Sequence, residues 1–484
     1  MFLTNIANNS TGRKINILCL AVTILIVLVL PLKKEMWYDE TISMFCSKGI
    51  GHDLSYFLDS TNTTNSDKLA EYNTAANVFH ATVKDNANSY IYNIGLHWFT
   101  ALSGNSLQAY MLFSKLTSIA TLIALFVLCG MFWGNSLFTS VAMLLLVTDT
   151  DFIGMSHEIR AYSMGMCFVT IAAIYFFKFI EKDKPLYLFL LGLFSVAAIL
   201  SHFLSVYIIL SFLIALIYLK RGALFSGRNI AAMIIPVALL GLFFLLAYPG
   251  LQVMNKQSQE IHAKTVSGGF SIWEMLHKSA RFFALNFKVV FPAFINKSAV
   301  VIISAVSVII LYVAGQRNSG NNNDKRNLSL LFLPGVSGSI FLAFLSIKAQ
   351  HYTPLYYRYY SFCLPFCCLF TAYALQLIYS NPKINMLIKS SIISVILLPS
   401  MALFIIGIRN NKPDKQYNHI EVAKKITTGS VNKIEVQLWT DAFLIQCVLP
   451  VDYKIDYVRN KIAPYFTLYN AKGIQQIPVL RIKE

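Results

Sequence analysis

Apolar runs of roughly membrane-spanning length recur along this chain and leave it little choice but a helical membrane fold. A hydrocarbon core about 30 Å thick takes about 20 apolar residues per helical crossing, and every backbone polar group inside it must be satisfied internally. The runs lie near 15–32, 108–132, 136–150, 160–180, 186–202, 203–219, 230–248, 298–316, 328–347, 358–380 and 388–408. Charged side chains make up only 13% of the 484 residues, which fits the same class. The net charge of +17 could suit nucleic acid, but the cations sit in short loops beside apolar runs rather than along one stripe, so no nucleic-acid partner is expected.

Orientation follows from the Lys/Arg bias of those loops. A cytoplasmic amino terminus puts Lys178, Lys182 and Lys184 inside, then Lys220, Arg221 and Arg228, then Arg317, Lys325 and Arg326, then Lys383 and Lys389. The turn Trp133-Gly134-Asn135 carries no cation, and 186–219 is barely long enough for two helices; the cation pattern favours two. The first run follows Arg13-Lys14, precedes Lys33-Lys34 and shows no small-residue cleavage site, so it reads as a retained anchor. The expected fold is an all-α polytopic membrane domain over 1–408, with about eleven spans.

Two large loops then lie outside. Residues 33–107 carry eight acids against five lysines, and Tyr90 to Phe99 reads as an interfacial amphipathic helix rather than a span. Residues 249–297 are basic, with Phe270 to Val290 as a second candidate interfacial helix. After Ile408 hydrophobicity falls. Glu421 to Ile426 suggests a helix, and Lys433 to Trp439 and Ile477 to Ile482 alternate like strands, so 409–484 is expected to be a small extracytoplasmic α/β domain. Most cysteines lie inside apolar runs; Cys46 and Cys447 are the extramembrane ones, and no zinc or redox spacing occurs.

With sides assigned, polar residues from distant segments meet at one face. Asp39 and Glu40 follow the first span, and Asp85 precedes the interfacial helix. Ser156-His157-Glu158-Ile159-Arg160-Ala161-Tyr162 opens the fourth span, His202 closes the fifth and Arg358 opens the tenth. Charge so close to hydrocarbon is costly and tends to mark function. One chemistry that uses such a set is glycosyl transfer from a lipid phosphate. A carboxylate takes the proton of an acceptor hydroxyl, and carboxylates favour an oxocarbenium-like transition state. Arginines hold the departing phosphate through bidentate pairing.

The chain resembles the C-type polytopic glycosyltransferases, the superfamily of protein O-mannosyltransferases and aminoarabinose transferases. The likeness rests on Asp39-Glu40 after the first span and on Ser156-His157-Glu158-Ile159-Arg160-Ala161-Tyr162-Ser163, beside a "SQEARMYA"-like stretch in bacterial members. Ser201-His202-Phe203 and Arg358-Tyr359 with Pro365 extend it over nearly the whole chain. One departure is local: many members have His-Pro-Pro-Leu-Tyr-Tyr where this chain reads Asp85-Asn86-Ala87-Asn88-Ser89-Tyr90-Ile91-Tyr92. The resemblance implies a polyprenyl-phosphate sugar donor, inversion, and a lipid, glycan or protein acceptor on the extracytoplasmic side of the cytoplasmic membrane.

On that footing Asp39 is the expected general base, with Glu40 and Asp85 as further catalytic carboxylates. Arg160 and Arg358, with Lys278 and Arg281 from the basic loop, are expected to hold the donor phosphate, with Glu158 and His202 as polar support. Each has a plainer reading. Glu40 could partner a structural cation, Asp85 could solvate a helix start, Glu158 and Arg160 could form an interface ion pair, and His202 could be a bonded core histidine. No cofactor is required, and the carboxylates leave room for a divalent cation without specifying one. Other functions remain open at this point: a transporter or flippase of a lipid-linked sugar, or an envelope polysaccharide polymerase or ligase. Paired repeats and midplane helix breaks, which transporters often show, are not evident.

Overall fold

The structure is a computed structural model. It describes residues 10–30, 38–49, 63–65, 74–84, 88–104, 106–133, 136–265, 298–349, 361–410, 419–436, 456–459, 465–470 and 473–478, with isolated positions at 273, 279, 280, 283, 287, 442, 445 and 449. The chain is a polytopic helical bundle that carries a small sheet at one end. Among the described residues seven helices are long and apolar enough to cross a membrane, or eight if one bent pair counts as a single span.

The helices, in order, begin with α1 (Ser10–Val29), α2 (Tyr38–Ser47), α3 (Ala75–Lys84) and α4 (Tyr90–Ser103). Then come α5 (Leu107–Trp133), α6 (Leu137–Val147), α7 (Thr150–His157), α8 (Tyr162–Lys182), α9 (Pro185–Ser201) and α10 (Val206–Leu224). The bundle closes with α11 (Gly227–Thr265), α12 (Ser298–Asn318), α13 (Asn322–Ala349), α14 (Leu364–Ser380) and α15 (Met386–Asn410), followed by α16 (His419–Gly429). Most ends fall within a few residues of the apolar runs, because hydrophobic length sets both. The centre of the bundle is α14: 94% of its best spanning window is buried, against 6% for α15, whose side chains face outward as lipid-facing ones do.

One span departs from the expected form. The run 136–150 is not a straight crossing; α6 stops at Val147 and α7 leaves at 64° to it. Asp149 causes the break locally, since its carboxylate caps the new helix by accepting the Phe152 N–H at 2.6 Å. Ser156 and His157 therefore end α7 rather than open α8, which starts at Tyr162.

Side-chain bonds sort the helix ends into two faces. At one face Asn16 of α1 donates to the Ser136 carbonyl at 3.2 Å and accepts from Ser140 Oγ at 2.8 Å. There Trp133 stacks on Tyr373, whose hydroxyl donates to Asp324 at 2.8 Å, and Asn381 bonds Asn318. Lys220 pairs with Asp183 at 2.9 Å, so α9 and α10 must reverse at His202 and are two helices. At the other face His157 Nε2 lies 3.0 Å from the Leu30 carbonyl, and Lys115 donates to Leu28 O at 2.9 Å. This is the partition of loops that the cation bias requires, and it gives the Trp133 turn the side its own residues could not fix.

The face opposite the Trp133 turn carries α2, α3 and α4. The last of these is amphipathic: Tyr92, Leu96, His97 and Thr100 are buried while Trp98 and Leu102 are exposed, the pattern of an interfacial helix. Beside them lies a five-stranded sheet in the order β1-β3-β2-β4-β5, formed by β1 (Thr63–Asn65), β2 (Lys433–Val436), β3 (Asp456–Arg459), β4 (Tyr465–Asn470) and β5 (Gly473–Pro478). Among the described residues only β2 and β3 run parallel. The helix expected near 421–426 is α16 and the first expected strand is β2; of the strand expected at 477–482, Ile477 and Pro478 close β5 and 479–482 fall outside the described residues.

The edge strand β1 comes from the first loop and pairs antiparallel with β3, Thr64 opposite Tyr457. The sheet is thus shared between two segments that the sequence keeps far apart. A common hydrophobic cluster unites Val422, Ala423, Ile426, Ile434 and Leu468 of the carboxy-terminal segment with Met44, Phe45, Tyr92, Leu96, Tyr110, Ile159 and Ala161. Burying each large apolar side chain contributes about 1.5–3 kcal/mol, so this cluster fastens the sheet to the bundle.

Candidate active site

The Asp39-Glu40 pair opens a helix rather than hanging in a loop. Both lie in the first turn of α2, where exposed backbone N–H groups favour negative charge. Successive helical residues lie about 100° apart around the axis, so positions 39 and 40 fall on different faces of α2. The description of Asp39 extends to its helical backbone. Glu40 is buried, and its Oε1 accepts the backbone N–H of Ile159 at 2.9 Å.

Ile159 sits in the break between α7 and α8. Glu158 there has extended backbone (φ −79°, ψ 133°), and the Arg160 N–H turns back onto the Glu158 carbonyl at 2.8 Å. Arg160 leaves this turn half-buried. Its Nη1 lies 3.4 Å from Ser43 Oγ, one helical turn beyond Glu40 on α2, and its guanidinium stands 5.8 Å from the centre of the Tyr162 ring. The Tyr162 ring in turn rests 4.7 Å from His202, and His202 lies 5.3 Å from Phe362.

Tyr92 of α4 stands among these charges. It is fully buried and shares a 3.0 Å hydrogen bond with Ser114. Burial pushes its phenol well above the ordinary tyrosine range; the Ser114 bond pulls the other way, Glu40 adds to the rise, Arg160 opposes it and Glu158 adds again. Three charged groups from two distant segments therefore act on one phenol. The far end of α2 is held as firmly. Lys48 is buried, donates to Thr100 Oγ1 at 3.2 Å and stands 5.8 Å from the Tyr110 ring centre, while His97 Nδ1 lies 3.0 Å from the Ser47 carbonyl.

Of the residues expected from sequence, Glu40, Glu158 and Arg160 come together here, and Asp39 shares the helix turn of Glu40. His202 joins through Tyr162. Its Nδ1 accepts the Leu204 N–H at 3.3 Å, which leaves the proton of the neutral ring on Nε2 and gives this histidine a capping role. His157 ties α7 to the end of α1. Asp85, Lys278, Arg281 and Arg358 lie outside the described residues, as does nearly all of the 270–290 helix candidate. Nearby, Asn88 Oδ1 accepts the Phe203 N–H at 3.3 Å, so the segment after Asp85 reaches the residue next to His202. Cys46 is buried, its Sγ donating to the Ala81 carbonyl at 3.9 Å, and Cys447 is outside the described residues. Among the described residues no three His, Cys, Asp or Glu side chains converge as a metal site.

Sequence reasoning missed Ser43, Tyr92 and Lys48. The i, i+3 spacing of Glu40 and Ser43 was a usable signal once α2 was known to be helical. Tyr92 gave none, because its aromatic neighbours read equally well as interface anchors.

The assembled site can hold an anion at Arg160 beside carboxylates at the mouth of the bundle. A family model described as dolichyl-phosphate-mannose-protein mannosyltransferase matches residues 90–252, from α4 into α11. No curated protein matches the sequence. Among solved structures, the fold is similar to that of ArnT from Cupriavidus metallidurans, described bound to undecaprenyl phosphate. The TM-score is 0.52 at 12% identity, covering 91% of this chain and 86% of that one. The family match over 90–252 and the shared fold agree: this is a multi-pass membrane protein that shares the fold of ArnT.

Proposed function

We propose that this protein transfers a sugar from a polyprenyl-phosphate donor to the hydroxyl of an extracytoplasmic lipid, glycan or protein, at the outer face of the cytoplasmic membrane. The observation that carries this reading is the gathering of Glu40, Glu158 and Arg160 around the α7–α8 break, directly against the helix that bears Asp39. The cation bias makes that face the outer one.

In this mechanism Asp39 takes the acceptor proton as the acceptor oxygen bonds to the anomeric carbon. The bond from that carbon to the phosphate oxygen breaks on the opposite side, and polyprenyl phosphate departs with the electron pair, so the anomeric centre inverts. Arg160 and Arg358 hold the growing phosphate charge, with Lys278 and Arg281 drawing the headgroup in from the basic loop. A phosphate is already a good leaving group, so cations serve it better than a general acid. Asp85 and Glu158 supply negative charge that favours the oxocarbenium-like transition state, and His202 orients Tyr162 beneath Arg160.

The test is mass spectrometry of envelope lipids, glycans and glycoproteins from cells making the wild type or Asp39→Asn at equal protein level. A general base contributes about 10²–10⁴-fold, so one sugar-bearing species should fall below detection in the variant. An unchanged glycan profile sinks the role of Asp39. Sugar-lipid building up on the cytoplasmic side would instead point to a transporter.

A further inference from the structure

We infer that Glu40 is a positioning residue: its carboxylate clamps the α7–α8 break so that Arg160 faces the donor phosphate at a fixed distance from Asp39. The inference rests on the donor reading above and deepens it. Three observations lead here. The break has no helical ladder to hold it, yet Ile159 is buried, and its N–H is taken by a buried carboxylate oxygen 2.9 Å away. A charged acceptor makes such a bond about twice as strong as a neutral one, and removing it would strand a buried N–H.

The second observation is that the same helix face reaches the next residue. Ser43, three positions after Glu40, meets the Arg160 side chain while Glu40 holds the backbone just before it. One face of α2 therefore fixes both the arginine's backbone origin and its head. The third is that α2 cannot slide, since Lys48 and His97 secure its other end. A proton-transfer group, by contrast, needs an oxygen open to the substrate, whereas Glu40 is 2% exposed.

The two roles separate by experiment, because glutamine keeps an oxygen that accepts the Ile159 N–H but cannot take a proton. Binding of undecaprenyl phosphate to the full-length protein in detergent should be measured beside turnover. Expected are Arg160→Ala and Glu40→Ala each weakening binding by about tenfold, with the double variant no weaker than Arg160→Ala alone. Glu40→Gln should bind within about twofold of wild type and keep most of its turnover.

Wild-type binding by Glu40→Ala overturns the clamp. So does a Glu40→Gln that binds normally but has lost turnover as Asp39→Asn has, which would make Glu40 a proton-transfer group. Should Glu40→Ala fail to fold, Glu40→Gln decides by the same two readings. A wild-type protein that binds no undecaprenyl phosphate overturns the donor reading and this inference together. Binding lost in Arg160→Ala but kept in Glu40→Ala overturns this inference alone.

Discussion

Positions 39 and 40 lie about 100° apart around the axis of α2, and the Glu40 carboxylate goes to the Ile159 backbone. Tyr92 shows the cost of collecting charge in so dry a place. Its raised proton affinity, due first to burial, means the folded protein keeps the phenol protonated where the unfolded chain has begun to ionise. The stability this represents is complete below about pH 10, the ordinary tyrosine value, and is lost as pH rises through the folded value. Thermal melts in detergent from pH 8 to 11 should therefore fall less steeply for Tyr92→Phe than for wild type. At pH 8 the variant should be less stable by about 1 kcal/mol, the worth of the Ser114 hydrogen bond. An equally steep alkaline decline in the variant would show that Tyr92 contributes nothing to it.

At Gly165 the absence of a side chain lets two segments approach closely beside the site. A Cβ added at Gly165 of α8 would lie 2.7 Å from Phe362 Cε1 and 3.5 Å from His202 Cβ, so α8 and the start of α14 are in close contact there. Gly165→Ala should destabilise the protein by about 1–3 kcal/mol, read as a lowered melting temperature. Gly154→Ala on α7 meets nothing within 4 Å and should be neutral or slightly stabilising. A melt unchanged by Gly165→Ala would refute the tight packing. Elements of this kind were unevenly legible in the sequence. Spans such as α5 and α8 announced themselves because hydrophobic length is a local property. The α6–α7 bend did not, because Asp149 reads as an ordinary polar residue until its cap on Phe152 is seen. Glu158 and Arg160 stood out as charges in an apolar setting. Ser43 and Tyr92 did not, since only tertiary contact gives a serine or an aromatic residue its partner.

At the scale of the whole molecule, the sheet is what ties distant parts of the chain to one face. Three residues, Thr63–Asn65, carry no strand signal of their own, and the pairing with 456–459 has no trace in local pattern. It is nonetheless simple to check. Asn65→Cys with Asp456→Cys places thiols opposite each other on paired strands, Asp456 being exposed. Mild oxidation should link them, so that chain cleaved between the two positions stays joined until reduced. Absence of the link at full oxidation would dissolve the shared sheet. The pairing also sets an order of assembly. β1 and its partner β3 are separated in the chain by every helix of the bundle from α3 to α16. Contacts so remote in sequence form late and slowly. The cluster that holds α2, α4 and the Arg160 turn likewise borrows Ile434 and Leu468 from the chain's end. The face that carries α2, α4 and the Arg160 turn is therefore complete only once two segments far apart in the chain have docked on one another.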